Sequence, residues 1–208
     1  MRNGQFITFE GIDGAGKSSH IDWLSEAIQR AGHKVVVTRE PGGTPLAETL
    51  RDLVLSQAMP EMSELLLMFA ARADHVETVI KPALAAGRWV LCDRFVDSSF
   101  AYQGGGRGMS VSILETLEQW VSSDCHPVRT YWFDLEPVEA QRRREAARVA
   151  DRFEAQDAAF FERVRNAYCE RQAGDSARIR VIDSARSIDA IRAELSADLN
   201  SLPGFDRG

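Results

Sequence analysis

The sequence predicts an α/β fold: a three-layer sandwich in which a five-stranded parallel sheet carries helices on both faces. Three observations lead there. Short β-forming runs alternate with longer runs of helical periodicity along the 208 residues. The strand runs are almost wholly apolar, as in Trp89-Val90-Leu91-Cys92, which suits strands covered on both sides. Charged and glycine residues gather just past the ends of those runs, where parallel sheets place their ligands.

In chain order, strands are expected at Phe6–Glu10, Lys34–Arg39, Trp89–Asp93, Thr130–Asp134 and Ile179–Asp183. Helices are expected at Ser18–Ala31, Pro45–Leu55, Met62–Ala86, Val111–Val121, Pro137–Arg148, Ala158–Arg171 and Ile188–Leu199. The first carries Ile21, Leu24, Ala27, Ile28 and Ala31 at helical spacing. Thr44 followed by Pro45 reads as an N-cap and a first helical position. Leu65 to Ala71 is apolar nearly all round and reads as a buried helix. Asp97–Gly108, with four glycines in five positions, reads as a polar turn. No repeat, linker or low-complexity tract divides the chain, so residues 1–208 are taken as one domain, with the tail Ser201–Gly208 frayed.

Composition narrows the function. A net charge of −6 disfavours a nucleic-acid surface, which needs a basic stripe. Three scattered cysteines without a C-x-x-C suit free thiols in a reducing compartment. The start MRNGQF lacks an apolar run of signal-peptide length, and no stretch is long enough to span a bilayer. A cytoplasmic protein with no membrane partner is expected.

Gly11-Ile12-Asp13-Gly14-Ala15-Gly16-Lys17-Ser18, with Ser19 behind it, is a complete G-x-x-x-x-G-K-[ST] phosphate loop between a strand and a helix. Its glycines let backbone N–H groups converge on phosphate oxygens, and the helix N-terminus adds positive partial charge. Lys17 can reach the β- and γ-phosphates of ATP, and the Ser18 hydroxyl can ligate Mg²⁺. Asp93, at a strand end, suits the same metal or a salt bridge. Arg39, also at a strand end, can fork onto a phosphate. Phe69 and Arg72, three apart on a helix, offer a ring and a guanidinium to a nucleobase. Tyr102 and Gln103 can contact a base or sugar. Gln141–Arg152 holds five arginines, either a solvated helix face or a cationic lid over a moving phosphoryl group.

FEGIDGAGKSS, TREPGGT, LLLMFAAR, DRF, AYQGGGRG and DRFE occur here in the order and spacing of bacterial thymidylate kinases, and the chain resembles that family from Phe6 to its last helix. The resemblance implies a P-loop NTPase fold with a short arginine-rich lid at about 142–153. It implies transfer of the ATP γ-phosphoryl to dTMP with Mg²⁺, on the way to dTTP, in a homodimer. By motif, Asp13 would meet the sugar 3′-hydroxyl, Phe69 would stack on thymine and Arg72 would bond its carbonyl. Arg39 and Arg94 would hold the acceptor phosphate. Ser99 and Gln103 would face the base, and Tyr102 would crowd the 2′ position. Lys17, Ser18 and Asp93 would serve ATP and its metal. Arg148 would be the lid's catalytic cation, with Arg143 and Arg152 beside it. Phe95 and Ser99 stand where other residues are common in the family, and uncharged Ala15 passes the catalytic charge to the lid. A kinase of another nucleoside monophosphate and a P-loop ATPase switch are the alternatives. An ATPase switch would leave the Phe69–Arg72 pair and the lid arginines without a use.

Overall fold

The computed structural model describes residues 4–145, 152–153 and 156–205. Its sheet contains β1 (Phe6–Glu10), β2 (Val35–Arg39), β3 (Trp89–Asp93), β4 (Arg129–Asp134) and β5 (Ile179–Asp183), in the order β2-β3-β1-β4-β5 and all parallel. The helices are α1 (Lys17–Arg30), α2 (Pro45–Ser56), α3 (Glu61–His75), α4 (Lys81–Ala85), α5 (Val96–Ser99), α6 (Val111–Ser122), α7 (Pro137–Glu145), α8 (Ala158–Gly174) and α9 (Ile188–Leu199).

Alternation along the strands creates the three layers. Ile7, Phe9, Trp89 and Leu91 face one way, into a core shared with Ile21, Leu24 and Ile28 of α1 and Leu195 of α9. Phe6, Val90 and Cys92 face the other way, into a second core with Leu65 and Phe69 of α3 and Leu114 of α6. Each of these fully buried aliphatic side chains is worth about 1.5–3 kcal/mol. Thr44 caps α2, its hydroxyl accepting from the Ala47 N–H at 2.9 Å, as the Thr-Pro pair predicts.

Two expectations need correction. The helix expected over Met62–Ala86 is interrupted by a π-helical turn, Val76–Ile80, between α3 and α4. The glycine-rich stretch is not a turn either: α5 continues into a π-helix, Phe100–Gly106. The glycines serve close packing there. A Cβ on Gly105 would lie 2.6 Å from Ala167 Cβ and 2.7 Å from Arg163 O, and one on Gly106 would lie 2.5 Å from the Phe160 ring. Helix α8 therefore presses directly on the π-helical backbone. Buried Asp97 fastens the joint, accepting from Arg171 at 2.8 Å and Arg178 at 2.7 Å.

Candidate active site

The phosphate loop leaves β1 at its carboxyl end and lies tight against β4. Gly11 has φ +127°, and a Cβ on it would meet Phe133 O at 2.4 Å. Ile12 and Ala15 are buried under the loop, and Gly16, also at positive φ, is the N-cap of α1. Lys17 is buried, donating to Gly11 O at 3.0 Å and Ile12 O at 3.4 Å, with Asp93 Oδ1 3.9 Å away. Burial and the Arg94 guanidinium push the Lys17 pKa below its ordinary value, while Asp93 and Asp13 oppose them. Asp93 Oδ1 is buried and accepts no hydrogen bond among the described residues. Ser18 and Asp93 open onto the same cleft, so a hydroxyl and an orphaned carboxylate oxygen fit a divalent cation at this edge.

Beside the loop is a half-open cavity lined by Asp13, Glu40, Pro41, Arg51, Leu55, Met68, Arg72, Arg94, Phe95, Ser98, Ser99, Tyr102, Gln103 and Phe153. Arg94 sits between the two. Its φ of +68°, rare for a side chain with a Cβ, turns the chain sharply out of β3. Its guanidinium meets Asp13 Oδ1 at 3.0 Å, Tyr102 OH at 3.2 Å and Ser98 Oγ at 3.3 Å. Burial opposes its charge, but Asp13 and the other groups around it hold its pKa above the ordinary value. Glu10, fully buried at the end of β1, supports this turn. It accepts from the Phe95 N–H at 2.7 Å, Ser98 Oγ at 2.5 Å and Tyr168 OH at 2.8 Å. Burial, with Asp97 adding to it, pushes the Glu10 carboxyl up to about 7.

At the far end of the cavity, buried Arg72 donates from Nε to Glu40 Oε2 at 2.7 Å and from Nη2 to Phe95 O at 3.1 Å. Glu40 Oε1 accepts from His75 Nδ1 at 2.9 Å, and His75 Nε2 shares a hydrogen bond with the Thr38 hydroxyl at 2.7 Å. Arg72 Nη1 is left buried with no partner among the described residues. Glu40, His75 and the Cys92 thiol lie close enough to grip a metal ion. Both imidazole nitrogens and both carboxylate oxygens are already engaged, however, and burial raises the thiol pKa well above its ordinary value.

The structure places several expected residues differently. Phe69 lies in the core, with the Arg72 guanidinium 4.6 Å above its ring, and the residue on the cavity wall is Met68. Met68 precedes Arg72 by four positions and Phe69 by three, and both spacings share a helix face, so periodicity alone does not choose between them. Arg39 is not on the cavity wall: it pairs with Glu48 Oε2 at 2.9 Å and lines the cleft beside Ser18 and Asp93. The further cation in the cavity is Arg51, which donates to Pro41 O at 2.9 Å. Arg51 has no motif around it, so nothing local in the sequence marks it for the cavity. Arg143 is held by Glu139 at 2.9 Å and by Ser184 O at 3.3 Å, just past β5. Arg152 pairs with Glu64 Oε2 at 2.7 Å, so it latches onto α3 in this conformation. Arg148 lies outside the described residues. Asp13, Arg72, Arg94, Ser99, Tyr102 and Gln103 all come together on the cavity wall.

A phosphate loop on a parallel sheet, sharing a wall with an arginine-lined cavity, defines a P-loop nucleotide-handling protein with room for a second ligand beside the phosphates. A family model described as thymidylate kinase matches residues 9–195, and the chain belongs to that family. It is 54% identical over 200 residues to a thymidylate kinase of Bordetella petrii, covering 96% of each chain. It is 55% identical to one of Cupriavidus metallidurans, covering 96% of this chain and 99% of that one. A crystal structure of thymidylate kinase from Ehrlichia chaffeensis aligns with a TM-score of 0.80 and 34% identity, covering 95% of this chain and 99% of that one.

Proposed function

We propose that the protein transfers the γ-phosphoryl group of ATP to dTMP, giving dTDP and ADP, as a step towards dTTP. The observation that carries this reading is the Asp13–Arg94 contact at 3.0 Å. It joins the phosphate loop to the cavity, so a triphosphate on the loop and a monophosphate at Arg94 meet end to end.

The acceptor is a monoester whose second pKa is about 6, so it is mostly dianionic near neutrality and no general base is required. One of its oxygens bonds to the γ-phosphorus as the bond to the β–γ bridging oxygen breaks, and ADP leaves with that electron pair. The chain must align two anions and neutralise their charge. Lys17 would exchange its two carbonyl partners for the β- and γ-phosphates. Arg94 and Arg51 would hold the acceptor phosphate, with Arg39 at the neighbouring cleft. Mg²⁺, which Ser18 and Asp93 would hold, supplies positive charge to the β- and γ-phosphate oxygens when bound. Arg148 in the lid segment 142–153 supplies the remaining cation, with Arg143 and Arg152 as neighbours. Arg72 Nη1 and Gln103 read the base, Met68 packs on it, Ser99 lies beside it, and Asp13 and Tyr102 bound the sugar.

Residues 1–208 act as one domain in this reading, and two copies pair through α3 and α6. These helices pack on each other and expose Met62, Leu66, Val111, Ile113 and Trp120, the last 77% exposed. Free cysteines support a cytoplasmic setting. Among the described residues no helix is long and apolar enough to cross a membrane.

The test follows label from γ-³²P-ATP. The expected outcome is one labelled dTDP for each ADP formed. Label released as inorganic phosphate without an acceptor would instead mark an ATPase switch.

A further inference from the structure

We propose that Glu64 determines base specificity, by holding the Gln103 amide so that its carbonyl oxygen, and not its NH₂, is offered to the cavity. The inference rests on the dTMP reading above and adds a residue to it that does not line the cavity.

Glu64 is 1% exposed on α3. Its Oε1 accepts from Gln103 Nε2 at 2.9 Å. Its Oε2 accepts from Arg152 Nη2 at 2.7 Å and Arg107 Nη2 at 3.3 Å. Two guanidinium groups face Glu64, and a carboxylate in such ion pairs only accepts. The amide of Gln103 must therefore turn its nitrogen to Glu64. Gln103 is 1% exposed yet lines the cavity, so Oε1 is the polar atom left for a ligand. Glu40 treats Arg72 in the same way, taking Nε and leaving Nη1 unpartnered. The cavity then presents one fixed acceptor, from Gln103, and one fixed donor, from Arg72.

A thymine edge offers O4 as an acceptor and N3–H as a donor, which complements that pair. Cytosine offers an N4 amino donor and an unprotonated N3 acceptor, so both contacts become repulsive or unmade. An amide free to rotate could serve either base. The orientation of Gln103 is thus a specificity device, and buried Glu64 is its positioning residue. The same carboxylate holds Arg152, so the amide is fixed by a contact that also tethers the lid segment.

The experiment measures kcat/KM for dTMP and dCMP in the wild type and in Glu64→Gln, with melting temperatures alongside. A site that depends on a buried polar match discriminates by about 10⁴-fold against the wrong partner. Glu64→Gln, whose amide can donate or accept, should narrow the dTMP/dCMP ratio by at least about tenfold. Glu64→Asp, which keeps an acceptor, should restore most of it. In a Gln103→Ala background, Glu64→Gln should leave the ratio unchanged. A purely structural Glu64 would lower the melting temperature and leave the ratio intact, and that result overturns the proposal. Should Glu64→Gln not fold, wild-type binding of N3-methyl-dTMP decides: the proposal expects it to be at least about a hundredfold weaker than dTMP, and equal binding refutes it. If dTMP is no substrate at all, the functional reading fails, a distinct outcome because N3-methyl binding is measured without turnover.

Discussion

The phosphate loop and the acceptor cavity face each other across Asp13 and Arg94, yet they are built in opposite ways. The loop is one unbroken run, Gly11–Ser18, whose geometry follows from its own glycines and the strand and helix at its ends. The cavity is gathered from the loop, the residues just past β2, α2, α3, the turn after β3, α5, the π-helix and Phe153. Its polar groups are fixed by buried carboxylates: Glu10 holds Arg94 through Ser98, Glu40 on the wall itself holds Arg72, and Glu64 behind the wall holds Gln103. A change in the loop should therefore strike chemistry and spare the fold, whereas a change in the cavity should strike both.

The largest expected effect tests the first half of that statement. Lys17→Ala should lower kcat by about 10³ or more, with the melting temperature nearly unchanged, because two backbone carbonyls and a 3.9 Å ion pair with Asp93 are all that is lost. A large loss of stability would erase the contrast. Arg72→Ala tests the second half. It should raise KM for dTMP and also destabilise the fold by about 3–5 kcal/mol, since Glu40 is left charged and buried with only His75 beside it. Denaturant titration alongside kinetics reads both, and a KM effect without unfolding would show that Glu40 is not held in place by Arg72.

Gly105→Ala reaches the cavity from behind. The new Cβ collides with Ala167 and Arg163, at about 1–3 kcal/mol, and shifts Tyr102 and Gln103. KM for dTMP should rise while KM for ATP stays the same, and equal changes in both would place the π-helix outside the acceptor site. The smallest effect is a pH slope. Glu10 titrates near 7 when folded, against 4.5 unexposed to the fold, so the folded state keeps an extra proton between those values. On this group's account stability falls as pH rises from about 4.5 towards 7, and Glu10→Gln should flatten that part of the profile. An unchanged slope would assign it to another group.

What could be read from sequence follows the same division. The strands were legible because each is a short run rich in β-branched and aromatic residues between helical stretches, and the loop because its motif is local. Arg94, Tyr102 and Gln103 were legible because they follow the end of β3 closely. Arg51 and Glu64 were not, since an isolated charge on a helix gives no sign that tertiary packing will bury it. Met68 and Phe69 are not separable in sequence, because helical spacing leaves both on the Arg72 face and only packing sends the ring into the core. The π-helix was missed because glycine reads locally as a turn former, while here its lack of a Cβ lets α8 approach.

The central claim is that two nucleotides meet at Asp13 and Arg94 and that the cavity chooses thymine. It is tested most directly by ADP release from ATP across dTMP, dCMP, dGMP and dAMP at equal concentration. The account predicts turnover with dTMP exceeding each of the others by about 10³-fold or more. Comparable turnover with dCMP or a purine monophosphate, or none with dTMP, would contradict it.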